Sequence, residues 1–409
     1  MQTRKQDLPG RNTALFILTT LIVFGPFPVQ SDELTATSIA IAGEGTVYVA
    51  GEYYSDEPDD AGYWVARIDG AGETLWLKRF SEPDGTERTN VITLDNGRCL
   101  IVSNRYIMNE GNQPFLQELG ADGTAGAPVN VISTATNVNA AMQLANGHVL
   151  LAGSVLKDER GEGEQYGYDA WAGEAAMDGT LVWQEPYDHG KDEDFYGLAS
   201  APDGGFYAIG NSGTLDKFGS GQSEVWLLHC DASGKLVKDA VFPDGRFAVE
   251  SSCDLVSMPD GSLAMAYSLP QSAIPSDVKR HPMSFPACVR VVDDTFATVN
   301  KLDFVENRAV STPFIALSAE GELLLAYAGA KTPMLTVVTF EGKASKPVQG
   351  EKWPFRPFLD LSDTLVQGDK AYVLGGVADF MSDEDDDNHV FLACFDVKQK
   401  KVLWQKEIK

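Results

Sequence analysis

The sequence predicts an all-β fold, a seven-bladed β-propeller of four-stranded antiparallel blades, on three observations. A short turn ending in glycine recurs at Gly45, Gly97, Gly147, Gly204, Gly261, Gly321 and Gly368, with a period of about 45 to 60 residues that suits propeller-type repeats. The turns sit between short runs rich in Val, Leu, Ala and Tyr, and their Asn-Gly and Asp-Gly pairs are hairpin signals. Amphipathic helical spacing is nowhere sustained after the first residues.

Taken in order, the chain of 409 residues opens on an expected export signal, residues 1–31. Arg4, Lys5 and Arg11 form a basic start, Ala14 to Phe24 a short apolar core, and Val29 and Ser31 the small residues of a cleavage site. The core is too short to span a bilayer comfortably, and no other stretch is long and apolar enough to do so. Seven units are then expected at approximately 33–85, 86–133, 134–192, 193–246, 247–307, 308–353 and 354–409. Each begins with a strand, the glycine turn and a second strand such as HVLLAG or ELLLAYA. Such unbroken apolar runs fit strands buried on both faces between neighbouring blades. Third strands align on YWVARID, PFLQELG, AWAGEAA, VWLLHCD, ACVRVVD, MLTVVTF and VFLACFD, with Trp64, Phe115, Trp171, Trp226 and Phe391 near their starts. Fourth strands include ETLWLKRF, TLVWQEPY and KVLWQKEI, which carry Trp76, Trp183 and Trp404. These aromatics read as packing between blades. Units five and six lack the tryptophans. The first unit starts at its innermost strand and the last ends at its outermost, so ring closure is expected from packing and not from strand exchange.

The grammar GGFYAIG…VWLLHCDASGKLV resembles the secreted bacterial repeat propellers. The ending FDVKQKKVLWQKEI resembles the tryptophan-bearing repeat of pyrroloquinoline-quinone-type propellers. The resemblance covers essentially residues 33 to 409 and implies the blade, since the same punctuation occurs in scaffolds, binders and enzymes alike. Quinone-binding members usually have eight blades and a dedicated pocket, neither of which is read here, so no quinone cofactor is expected. A periplasmic scaffold of the outer-membrane-assembly kind is similar in style.

A formal net charge of −27 disfavours nucleic acid and anionic membranes as partners. Cations, basic proteins and uncharged ligands remain open. The five cysteines, Cys99, Cys230, Cys253, Cys288 and Cys394, lack CxxC spacing. They read mainly as buried small hydrophobes, with one or two bridges open to them in an oxidising compartment.

Turns one–two and three–four are short and share one face of the disc; loops two–three and the crossovers share the other. The long-loop face is the expected site of function. It includes the crossovers 186–197 and 350–360, from which His189, Trp353, Phe355 and Phe358 are candidate partner contacts. In units one and seven, SDEPDD and SDEDDD sit at the same offset from Trp64 and Phe391, so two acidic loops should be neighbours across the ring closure. Asp56, Glu57, Asp59, Asp60, Asp383, Glu384, Asp385 and Asp387 are candidate ligands for calcium, a hard cation that takes six to eight oxygens. An EF-hand reading fails, because counting from Asp383 its required Gly and Glu positions hold Asn388 and Cys394. Acidic runs are also ordinarily just solvated.

No HExxH, GxSxG, Walker or GxGxxG motif is present, and the five histidines scatter. The expected function is therefore non-catalytic: an exported, periplasmic or secreted propeller that binds a protein or glycan on its long-loop face. An enzyme, a lyase or hydrolase acting on an extracellular polymer, is the alternative, and an envelope-assembly scaffold a third.

Overall fold

A computed structural model describes residues 33–408 apart from 44, 56–59, 83–84, 108–110, 136, 158–166, 216–220, 245–252, 270–285, 305–312, 330–331, 340–342, 353–357 and 379–388. The chain divides into two units, Met1–Ser31 and Asp32–Lys409, and the described residues all belong to the second. They form seven antiparallel sheets, each built from consecutive strands. Blade 1 contains β1 (Glu33–Leu34), β2 (Ser38–Gly43), β3 (Thr46–Tyr54), β4 (Ala61–Ile68) and β5 (Thr74–Ser81). Blade 2 has β6 (Thr86–Thr93), β7 (Cys99–Ile107), β8 (Gly111–Leu119) and β9 (Val129–Asn130). Blade 3 has β10 (Asn137–Gln143), β11 (Val149–Leu156), β12 (Tyr168–Ala175) and β13 (Leu181–Tyr187). Blade 4 has β14 (Asp192–Ser200), β15 (Phe206–Leu215), β16 (Gly221–Cys230) and β17 (Leu236–Phe242). Blade 5 has β18 (Cys253–Ser257), β19 (Leu263–Ser268), β20 (Ala287–Val292) and β21 (Thr298–Phe304). Blade 6 has β22 (Phe314–Leu317), β23 (Leu323–Ala328), β24 (Pro333–Val338) and β25 (Val348–Gln349). Blade 7 has β26 (Phe358–Gln367), β27 (Lys370–Ala378), β28 (His389–Asp396) and β29 (Lys401–Ile408).

All seven turn glycines read from the sequence have positive φ, between 60° and 87°. An L side chain resists that conformation, which is why glycine punctuates every first turn. The apolar core is seven clusters, one in each seam between blades. Alternate residues of one strand serve different seams: Val149 and Leu151 face blade 2, while Leu150 and Ala152 face blade 4. Both faces of the strand are therefore buried, and the usual polar alternation disappears. The third-strand aromatics Trp64, Phe115, Trp171, Trp226 and Phe391 are all buried within these seams.

The tryptophans of the fourth strands close three seams from outside, those between blades 1 and 2, 3 and 4, and 7 and 1. The Trp76 indole lies on Gly123 of the next blade and donates from Nε1 to the Ala121 carbonyl, 3.0 Å away. Trp183 lies on Gly234 in the same way, and Trp404 on Gly72. In each case a Cβ on the glycine would fall within 3.2 Å of an indole carbon. Trp404 also donates to Gly70 O at 3.0 Å, and Asp363 Oδ2 accepts the Ile39 amide at 2.9 Å. Blade 7 thus docks on blade 1 as one internal blade docks on another, and among the described residues no strand is exchanged between them.

Two expectations about elements need correcting. The crossover 186–197 shrinks to four residues, because β13 continues to Tyr187 and β14 begins at Asp192. Likewise β26 begins at Phe358, within the expected crossover 350–360. Both innermost strands carry acidic residues within their first three positions, Asp192 to Asp194 and Asp360, and these read as loop. Blades 2 and 6 have two-residue fourth strands. Pro128 and Pro347 immediately precede those strands and cannot donate to the ladder. The five cysteines are free and buried on strands.

Candidate functional site

Each innermost strand packs against the innermost strand of the next blade, and β26 packs against β2 to complete the ring around the axis. These strands run from the crossover to the short turn, so their first residues lie at the long-loop end. There the strands break register. Pairing skips between Glu87 and Asn90 in β6, Val138 and Ala140 in β10, Phe195 and Gly197 in β14, and Leu361 and Asp363 in β26. A bulge leaves an extra residue unpaired and re-aims its side chain.

The second and third strands explain the bulges. Gly51, Gly153, Gly210 and Gly375 pair with Trp64, Trp171, Trp226 and Phe391. On the opposite side, a Cβ on Gly210 would sit 1.9 Å from the Asp194 carbonyl oxygen, and one on Gly375 would sit 2.4 Å from that of Asp360. Glycine lets the bulged strand collapse onto the sheet, and the aromatic ring fills the space left beside it.

The skipped positions include Arg88, Asn139, Tyr196 and Ser362, with Asp194 and Asp360 each two residues before one of them. Arg88 belongs to blade 2, yet its charge bears on Asp194 of blade 4 and Asp360 of blade 7. Only a path across the axis connects those blades. Its guanidinium stands 6.0 Å from the centroid of the Tyr196 ring. Arg88 has φ of 57°, an uncommon backbone state for a residue with a side chain. The buried Glu52 carboxylate holds that bulge in place by accepting the Thr89 amide at 2.7 Å.

Burial is the leading influence on the channel carboxylates, because it penalises the charged form. Asp194 is pushed up to about 7 against the pull of Asn139, Tyr196 and Arg88. Asp360 rises to about 6, opposed by the Leu361 amide and Arg88. Asp254 rises to about 6, and Asp363 to about 7 with a further push from Asp254. Yet Asp360 is exposed and Asp194, Asp254 and Asp363 are half-buried. These side chains therefore keep contact with solvent although protein surrounds them. Asp254 and Asp363 are already used as seam locks, accepting the Ile315 and Ile39 amides at 2.9 Å. Asp194 Oδ1 takes one hydrogen bond from Asn139 at 2.7 Å.

Of the eight proposed calcium ligands only Asp60 lies among the described residues; it is half-buried beside the Tyr53 hydroxyl. Asp56, Glu57, Asp59, Asp383, Glu384, Asp385 and Asp387 lie outside them, as do Trp353 and Phe355. The blades that carry the two acidic segments are neighbours, since Tyr53 and Val390 share one seam cluster. Phe358 opens β26 at the long-loop end. The His189 ring is exposed, 5.3 Å from that of Trp226, with Nδ1 3.9 Å from Asp239. His148 pairs with the buried Glu174 and His389 with Glu407, both at 2.6 Å. Among the described residues one carboxylate cluster, Asp169, Asp188 and Glu193, has metal-ligand spacing. The Lys157 ammonium sits among them at 2.5, 3.1 and 3.3 Å, so their counter-charge comes from the protein itself.

Sequence reasoning missed the channel set. Its one legible signal is the shared placement of Asp194 and Asp360 in DEDFYG and FLDLSD.

No family model matches the chain, and no curated protein does. Solved structures with the same fold do. A puromycin hydrolase matches at 14% identity and a TM-score of 0.55 over 93% of this chain, which spans 55% of the hydrolase. The polysaccharide lyase Uly1 matches at 8% identity and 0.51, covering 89% of this chain and 90% of the lyase. The β-propeller domain of the Trilobed protease from Pyrococcus furiosus matches at 9% identity and 0.49, covering 92% and 98%. At these identities the likeness is one of fold, the β-propeller.

Proposed function

We propose that the protein binds a neutral glycan at the long-loop end of its central channel. The observation that carries this is the convergence of Arg88, Asn139, Asp194, Tyr196 and Asp360 from four blades on the axis. Sugar hydroxyls both donate and accept, which matches carboxylates set beside a guanidinium and an amide. Tyr196 adds an aromatic ring. With carboxylates outnumbering the one guanidinium, the site repels polyanions and favours an uncharged ligand. The test is a titration with neutral and uronate oligosaccharides. Neutral ones should bind, and Asp194→Asn with Arg88→Ala should abolish binding while the protein still unfolds cooperatively. Binding that survives both substitutions would sink the proposal.

A second reading is a hydrolase, and it is favoured by the separate elevation of Asp194 to about 7 and Asp360 to about 6. A protonated Asp194 would give its proton to the glycosidic oxygen while ionised Asp360 takes one from water. Release of reducing ends that peaks between those values and vanishes in Asp194→Asn would establish it. Export to the periplasm or beyond, and calcium at the two acidic segments, complete the proposal. Millimolar calcium should raise the melting temperature and a chelator should reverse it; no shift would remove calcium from the account.

A further inference from the structure

The seam between blades 4 and 5 departs from the tryptophan-on-glycine seal. In blade 4 the place of Trp76, Trp183 and Trp404 is taken by Lys238, and in blade 5 the turn glycine is replaced by Phe296 with φ of 66°. Lys238 Nζ lies 4.3 Å from the centroid of the Phe296 ring, a cation–π contact at the place where the 1–2, 3–4 and 7–1 seams have an indole. The seam is open on the short-turn face, as a cleft of about 810 Å³.

Its apolar wall includes Tyr207, Val237 and Val291. His229 lines it too, only 8% exposed, with its ring 4.8 Å from that of Tyr207. Its Nε2 is 3.0 Å from Asp203 Oδ2, and among the described residues neither ring nitrogen has a well-aligned hydrogen bond. The ring lies against the Asp203 carboxylate and keeps hydrogen-bonding capacity unused.

Four carboxylates, Asp203, Asp260, Asp293 and Asp294, stand around the cleft against the single ammonium of Lys238. Three of them are fixed by their own turns. Oδ1 of Asp203 accepts the Gly205 amide, that of Asp260 the Ser262 amide, and that of Asp293 the Thr295 amide, all at 2.9 to 3.0 Å. The Ser262 and Thr295 hydroxyls, which also donate to Oδ1 of Asp260 and Asp293, together with the three amides hold these groups below the usual carboxylate range, so they stay ionised. These donors also leave each Oδ2 without a turn bond, on a carboxylate whose orientation is already set.

We propose that this cleft binds a guanidinium or ammonium group on an apolar stem, as an arginine or lysine side chain presents. The charged head meets the fixed carboxylates, and the stem lies along Val237, Val291 and the Tyr207 ring. The site lies on the face opposite the channel mouth, so it does not depend on glycan binding there.

The test is NMR of the His229 imidazole, assigned with His229→Gln, during titration with N-acetyl-arginine amide, a Gly-Arg-Gly peptide and their citrulline counterparts. The arginine probes should shift the His229 signal saturably and the citrulline probes should not. Stronger binding of the peptide points to a protein segment as the natural source; equal binding points to the side chain or a small amine. Asp260→Asn with Asp294→Asn, which keeps the turn acceptor, should weaken binding by about tenfold. Asp122→Asn with Asp178→Asn, matched turns outside the cleft, should leave it unchanged. A second variant, Lys238→Trp with Phe296→Gly, rebuilds the ordinary seam; it should fold with a higher melting temperature and lose binding. An unmoved His229 signal, equal binding of citrulline, equal loss in the control pair, or binding retained by the folded seam variant would each overturn the proposal.

Discussion

Gly210 has the Asp194 carbonyl on one side and Trp226 on the other, and three further glycines repeat the arrangement. A methyl group at Gly210 meets backbone, which cannot swing away as a side-chain tip can. Gly210→Ala is therefore expected to cost about 3 kcal/mol or more, read by denaturant unfolding. The channel acids make a second prediction, in pH. A carboxyl whose folded value is raised binds its proton more tightly folded than unfolded. Its stabilisation is complete below the unfolded value, near 4, and is lost as pH rises through 6 to 7. Asn at position 363 keeps an acceptor for the Ile39 amide and removes the charge. Asp363→Asn should then gain about 1–2 kcal/mol at pH 8, discounted for channel water, and nothing at pH 4. Equal effects at both pH values would show that Asp363 carries no such penalty.

At the scale of strands and turns, much was legible because the signals are local. A glycine at positive φ and an aromatic opposite a glycine are each fixed by a few neighbouring residues, and each recurs. The starts of β14 and β26 were not legible: a bulge breaks the period of two, and acidic residues facing a water-accessible axis look like loop. Arg88 carried no signal at all, since its inward aim is set by Glu52 in another blade. The tryptophan seal makes a quantitative claim at this scale. Trp404→Ala and Trp76→Ala should destabilise by similar amounts, about 2–4 kcal/mol each, because both indoles cap a seam on a glycine. A much smaller loss at Trp404 would mean that the ring does not close as the internal seams do.

At the scale of the whole molecule, seven clusters of similar make-up close a ring in which no seam is special in topology. Removing residues 402–409 takes away most of β29, including Trp404, and should abolish cooperative folding. What distinguishes the protein from a bare scaffold is the polar set on its axis. The most direct measurement is retention on an array of neutral and uronate glycans, comparing the wild-type protein with the Arg88→Ala, Asp194→Asn double variant, both of which unfold cooperatively. Retention of neutral glycans by the wild type alone is the expected result. Retention of the same glycans by both proteins, or of none by either, would contradict a glycan site in the channel.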